Sequence, residues 1–205
     1  MHMQVARDHC FTDIADVDIM DADGSMEIPV KDGKRLTKDL VGTHFKNYDS
    51  FLVISHFKGH AMAGYVGAIK NISIGIVSSE GKNLIHSGGK DGGSQDSFLK
   101  AMAEAGKAVS DYLDNGKNIV YINVMNRLSV DCDCDGNSAE PDMHDIGILA
   151  STDLVALDKA CIDLVYSADD GEKLVNIIEL RNGLHTLDYA EDLVGTQNYK
   201  IERID

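Results

Sequence analysis

Residues 51–76 read FLVISHFKGHAMAGYVGAIKNISIGI, and the reading of this stretch decides the fold. Phe51-Leu52-Val53-Ile54 is a short run of aromatic and branched aliphatic residues, the composition of a buried strand. His56, His60, Lys70 and Asn71 follow it closely, spaced by small residues. Ligands in open α/β sheets bind outside the carboxyl ends of strands, so this position marks a candidate site. Apolar residues from Met62 to Ile76 fall at helical spacing. Ala61, Ala63, Gly64, Gly67 and Ala68 among them allow close backbone approach, and the pattern predicts a helix with a broken start.

Working outward, the downstream chain keeps alternating element types. Ser78–Ser97 carries Gly81, Gly88, Gly89, Gly92 and Gly93 among polar residues and reads as a flexible loop; no Gly-Lys-Ser or Gly-Lys-Thr closes it into a phosphate loop. Ser97–Leu113 is an amphipathic helix with Phe98, Met102, Ala105, Val109 and Leu113 on one stripe, stopped by Asn115-Gly116. Asn118–Val130 reads as a long strand running into Asp131-Cys132-Asp133-Cys134-Asp135-Gly136. Ile146–Ala150 reads as a second buried strand, and Ser151-Thr152-Asp153 supplies cap oxygens for a helix faced by Leu154, Leu157, Cys161, Leu164 and Val165. Lys173–Leu180 and Thr186–Val194 are short helices, and Tyr199–Ile204 alternates like a terminal strand. Upstream, Met1–Phe11 reads as the end of a helix and Val17–Met20 and Glu27–Val30 as short strands. Arg35–Tyr48 reads as strand, then turn or short helix. These elements predict a single α/β domain over residues 1–205, with a mixed, largely parallel sheet and flanking helices in three layers.

Composition bounds the partners. With 34 acidic and 19 basic residues the formal charge is −15, which opposes nucleic acid and anionic membrane surfaces. No apolar run approaches bilayer length and the N-terminus lacks a signal-peptide pattern, so a cytoplasmic protein is expected. Cys10 and Cys161 lie in apolar helical patterns and read as small core residues.

Two constellations carry chemistry. His56 and His60 are four apart: on a helix that places two imidazoles at metal-ligand reach, and in a loop it offers acid, base or anion donor near neutrality. His60 as acid/base and Lys70 as anion or Schiff-base partner are the candidate catalytic residues, with His56, Asn71 and Asp145 binding ligand. The second is the Asp131–Asp135 run. As a strand extension it sets Asp131, Asp133 and Asp135 on one side and Cys132 and Cys134 on the other. Carboxylates suit a hard cation and thiolates zinc or iron, although a one-residue gap between cysteines is shorter than the usual zinc spacing, and an Asp-rich turn with two small buried residues is the plain alternative. The cofactor is not readable from the sequence; a divalent metal held by Cys132, Cys134, Asp131 and Asp133 is the candidate. Asp142, His144 and Asp145 would complete a polar rim, while Asp158 and Asp163 read as a solvated helix face.

SHFKGHAMAGYVGAIKN, DCDCDG and PDMHDIGILASTDLVALDKACIDLV together resemble the domain-of-unknown-function family 362, whose members are described as uncharacterised Fe-S centre proteins. The resemblance implies a ferredoxin-like insert with Cys-x-x-Cys repeats where this chain has Ser78–Ser97. No cysteine stands there, so a ferredoxin-type cluster is not expected. The family's Asp-Pro-Val-Ala is here Asp153-Leu154-Val155-Ala156, and longer members begin with a further strand and helix, so the native gene is a candidate for extension. A shorter likeness, from His60 to Gly75, is similar to nickel-pincer lactate racemases, in which a histidine serves as acid/base and a lysine holds the cofactor. The readings that follow are a metal or small-anion site of unknown reaction at His56, His60, Lys70 and the Asp131–Asp135 run, or a non-catalytic accessory to a redox partner protein that has lost its iron-sulfur module.

Overall fold

The computed structural model describes residues 2–89 and 93–204. Helix α1 (His2–Asp8) precedes an antiparallel pair, β1 (Ser25–Pro29) and β2 (Lys38–Gly42), and a 3-10 turn at Thr43–Asn47 leads to strand β3 (Phe51–His56). A tight hairpin follows, β4 (Lys58–His60) with β5 (Gly64–Val66), and then helices α2 (Ala68–Gly75), α3 (Ser79–His86) and α4 (Gln95–Tyr112). Strands β6 (Ile119–Met125) and β7 (Gly147–Ser151) and helices α5 (Leu154–Ser167), α6 (Glu172–Leu180) and α7 (Leu184–Glu191) complete the described chain.

The central sheet has the order β3-β6-β7, with β3 parallel to β6 and β7 antiparallel. Parallel neighbours need a crossover, which α2, α3 and α4 provide. The α/β class is as the sequence implies. Side-chain alternation then sorts the strands: Val53, Ser55, Ile119, Tyr121, Asn123 and Met125 turn inward against α2 and α5, and all are buried. Leu52, Ile54 and Ile148 turn outward and are at least 60% exposed. The described elements thus make two layers at this sheet, one fewer than expected, and β7 is an exposed edge strand rather than a buried one.

Helix α4 is the spine of the core. Phe98, Met102, Ala105 and Val109, and Leu113 at the C-cap, are buried on the stripe the spacing predicts, and Leu99 is buried beside them. Glu104 is buried too: its carboxylate accepts backbone N–H groups of Lys34, Arg35 and Leu36 and the hydroxyl of Tyr189 at 2.7–3.1 Å. Four donors replace the water that burial removes, and the carboxylate ties the β1–β2 connection to α7. Left-handed backbone at Asp114, Asn115 and Gly116 ends the helix where Asn-Gly predicts.

Several elements differ from the sequence reading. The helix expected from Met62 begins only at Ala68, because Gly64, at φ +85°, turns the preceding residues into the return strand of the hairpin. Ser78–Ser97 is not one loop: the Ser78 hydroxyl caps α3, accepting from the Gly81 N–H, and Gly88 and Gly89 at positive φ end that helix. Residues 90–92 of the expected loop lie outside the described residues. The strand from Asn118 stops at Met125, since Arg127 adopts φ +46° and its N–H is taken by Asp145. Val17–Met20 and Tyr199–Ile204 are not strands. Cys10 is exposed at φ +62°, whereas Cys161 is buried as expected.

Candidate functional site

Period-two alternation in β3 and β4 sends His56, Lys58 and His60 along one line, and glycine decides what meets them. Gly59 N–H donates to the Ser129 carbonyl at 2.8 Å. A Cβ on Gly59 would stand 2.2 Å from the Val130 carbonyl oxygen, so only glycine lets the 129–130 backbone run this close to β4. That approach delivers Cys132 and Cys134, just beyond, to His60. The three donor atoms, one from each side chain, lie within 4.8 Å of one another.

His60 is buried, and its Nδ1 accepts two turn amides, from Met62 at 3.1 Å and Ala63 at 3.0 Å. The histidine therefore closes its own hairpin, and Nε2 carries the proton of the neutral ring. Burial first, then the positive charges of Lys70, His86 and Lys58, pull its pKa down to about 4. Cys132 is half-buried and Cys134 exposed. The Cys134 N–H lies 3.5 Å from the Cys132 sulfur. A thiol hydrogen bond with Cys132 and partial burial raise the Cys134 pKa, against the lowering pull of Lys70.

Two lysines interact electrostatically with the thiols, Lys58 and Lys70. Lys58, with a side chain 5% exposed, pairs with the Asp133 carboxylate and lies 3.2 Å from His56 Nδ1. His56 in turn bonds the Asn126 carbonyl through Nε2 at 2.7 Å and approaches Asp133 at 2.9 Å. Lys70, on the first turn of α2, is half-buried. Burial lowers its pKa, the two thiols oppose that change, and Lys82 of α3 adds to it. No carboxylate pairs with Lys70 among the described residues.

The sequence-derived candidates thus divide. His60, Lys70, Cys132 and Cys134 come together. Asp131 and Asp133 stand outside that group, because the run is a turn and not a strand: Asp131 accepts the Ala139 N–H at 3.0 Å and Asp133 pairs with Lys58 and lies 2.9 Å from His56 Nδ1. Asp135 likewise accepts the Asn137 N–H. Asn71 spends its amide on the Ile54 carbonyl and the Ser55 hydroxyl, bracing the end of β3. Asp145 caps the 127 turn. Asp142 and His144 pair with Lys173 and Asp170 rather than forming a rim of the site.

Asp158 is the largest departure from expectation. Read as solvated, it is fully buried and accepts the Ala68 and Ile69 N–H groups at 2.7 and 3.0 Å and the Asn123 amide at 2.8 Å. It supplies from α5 the N-terminal cap that α2 lacks locally and so orients the helix that carries Lys70. Burial raises its pKa to about 6 although those three donors pull it down. Lys58, Lys82 and His86 also escape the sequence reading. Lys58 is legible from the alternation of residues 56, 58 and 60, and Lys82 and His86 from their i, i+4 spacing once α3 is recognised.

The fold and site define an α/β protein in which two thiols and a buried histidine come together beside the end of β4. The family model described as "Domain of unknown function (DUF362)" matches residues 1–163, and the chain belongs to that family. No curated protein and no solved structure matches the chain. No helix among the described residues is long and apolar enough to cross a membrane.

Proposed function

We propose that the protein binds a thiophilic divalent ion, zinc or ferrous iron, between the Cys132 and Cys134 thiolates and the His60 imidazole. The observation that carries this reading is the 4.8 Å convergence of the three donor atoms from segments distant in sequence. Ligand atoms around tetrahedral zinc stand about 3.8 Å apart, given Zn–S bonds of about 2.3 Å, so a small movement of the exposed Cys134 closes the set. Lys58 and Lys70 favour the ionised thiols by their charge. Three protein ligands leave a fourth position open, the pattern of catalytic sites rather than structural ones. His60 is the most weakly committed ligand: Nδ1 must exchange its two amide bonds for the metal, or Nε2 must lose its proton. The four free thiols suit the reducing cytoplasm expected of this chain.

Anaerobically purified protein, loaded with zinc or ferrous iron and desalted, is expected to retain one ion per chain. Cys132→Ser with Cys134→Ser abolishes retention, while His60→Gln weakens affinity about tenfold, roughly 1.4 kcal/mol. Retention by the double variant overturns the reading. The closeness of the two cysteines, with the Cys134 N–H 3.5 Å from the Cys132 sulfur, and the occupied Nδ1 favour a second reading, a metal-free redox-accessory protein whose Cys132–Cys134 pair is oxidised to a disulfide. Absence of metal uptake together with loss of two titratable thiols after mild oxidation supports that alternative.

A further inference from the structure

The outer face of the central sheet has no layer packed on it. Strand register sets three rows of side chains across that face: Leu52 with Val120, then Ile54, Ile122 and Ala150, then His56, Val124 and Ile148. Helices α2 and α5, which contact these strands, pack against the inward side chains on the opposite face. Leu52, Ile54 and Ile148 are 61, 60 and 69% exposed and Val120 is 40% exposed, while Ile122 and Val124 are half-buried on the strand between. A sheet with one face in water alternates apolar inward with polar outward, and aliphatic residues on both faces are the mark of strands covered on both sides.

The chemistry of the face indicates what covers it. The three rows carry no Asp, Glu, Lys or Arg, in a chain with 34 acidic and 19 basic residues. His56 is their one polar side chain, and it stands at the end of its strand, in contact with the Asn126 carbonyl and Asp133. A partner selected by charge or hydrogen bonding would need complementary groups here. A second copy needs none, because an apolar sheet face stacks on its own image at about 10 Å with strands within about 30° of one another. A two-fold axis then sets aliphatic rows against aliphatic rows. The charge of −15 on each copy stays off the seam, and salt screens it beyond about 10 Å.

We propose that the outer face of β3-β6-β7 is the interface of a two-fold homodimer, with the two sheets stacked at the centre and the helices outside. The four most exposed side chains leave roughly 400 Å² of apolar surface in one patch, toward the upper range for a monomer. With Ile122, Val124, Ala150 and a rim around them, about 600 Å² is buried per copy, below the roughly 800 Å² of a standard stable complex. The dimer therefore forms at micromolar concentration and dissociates on dilution. None of His60, Cys132 and Cys134 belongs to the three rows, so the inference stands apart from the metal reading.

The test is sedimentation equilibrium of the full chain from about 1 to 200 μM, bracketing a micromolar dissociation constant, at low and at high salt. A monomer–dimer equilibrium is expected, at least as tight at high salt because screening removes repulsion between acidic copies. Ile54→Asp, at an exposed position, weakens it at least about tenfold with an unchanged far-ultraviolet circular dichroism spectrum. Ile201→Asp, on an exposed residue outside the sheet, leaves it unchanged. Should Ile54→Asp fail to fold, Ile148→Asp on β7 carries the test with the same loss expected. A monomer at every concentration leaves the face to a different partner and overturns the proposal. So does a dimer that survives Ile54→Asp or Ile148→Asp, a dimer that weakens as salt is raised, or a mass that grows beyond two copies.

Discussion

His60 stands on a hairpin whose backbone is tied from both sides, whereas Cys132 and Cys134 stand on a turn held mainly by its own aspartates. Residues 57–60 are all buried, the Gly59 amide is bonded to Ser129, and the His60 ring is locked by two amides. Across the gap, residues 133–140 are exposed, and Asp131 and Asp135 bond amides within the same segment. One half of the site is preset by packing and the other is free to close. A ligand that draws the donors together is therefore expected to move the thiols toward the histidine, because few buried contacts oppose motion of the turn.

The largest effect should come from breaking the contact that joins the halves. Gly59→Ala places a Cβ 2.2 Å from the Val130 carbonyl oxygen, and neither backbone can yield without displacing β4 or the 129–130 segment. Denaturant unfolding should show a loss of about 3 kcal/mol, and metal retention should fall with it. Gly136→Ala, where a Cβ meets nothing within 4 Å, serves as the contrast, with a change of at most about 0.5 kcal/mol.

Asp158 sharpens the comparison on the rigid side. Its folded pKa of about 6 lies above the ordinary aspartate value of 3.8, so the native state binds more protons between those values and stability falls as pH rises through that window. A pKa difference of one between the folded and unfolded states corresponds to about 1.4 kcal/mol. Unfolding free energies from pH 4 to 7 should show wild type losing up to about 3 kcal/mol relative to Asp158→Asn, with no further change above pH 7. A difference that does not vary with pH would mean that the carboxylate stays charged throughout.

The smallest effect is expected on the movable side. Asp133→Asn removes the counter-charge of Lys58, but Asp133 is 62% exposed, and water replaces much of the lost attraction. About 1 kcal/mol or less of stability should be lost, measurable by chemical denaturation and reduced further at high salt. Metal affinity should be nearly unchanged, because Asp133 neutralises Lys58 and is not expected to touch the ion.

Legibility in the sequence follows from which residues act locally. The Phe51 strand, the stripe of α4 and the Asp153 cap of α5 are readable because periodicity and capping are local properties. Glycine counting fails at Ser78–Ser97: a Ser cap and two apolar residues, Leu84 and Ile85, are enough to form α3 before the glycines take over. Alternation makes the aspartates of the 131–135 run look like metal ligands, and a turn does not preserve alternation. Asp158 is missed because its donors lie on α2 and β6, and no local pattern distinguishes a buried cap for another helix from a solvated carboxylate.

Sequence alone determined the α/β class, the position of His60 and Lys70 behind a strand, and the presence of two thiols in an acidic turn. These depend on short-range periodicity and residue chemistry. Tertiary structure alone decided that Cys132 and Cys134 face His60, that Asp133 is spent on Lys58, and that Lys70 lacks a carboxylate among the described residues. Each of these is a matter of which distant segments meet, and at Gly59 that meeting turns on the absence of a single Cβ.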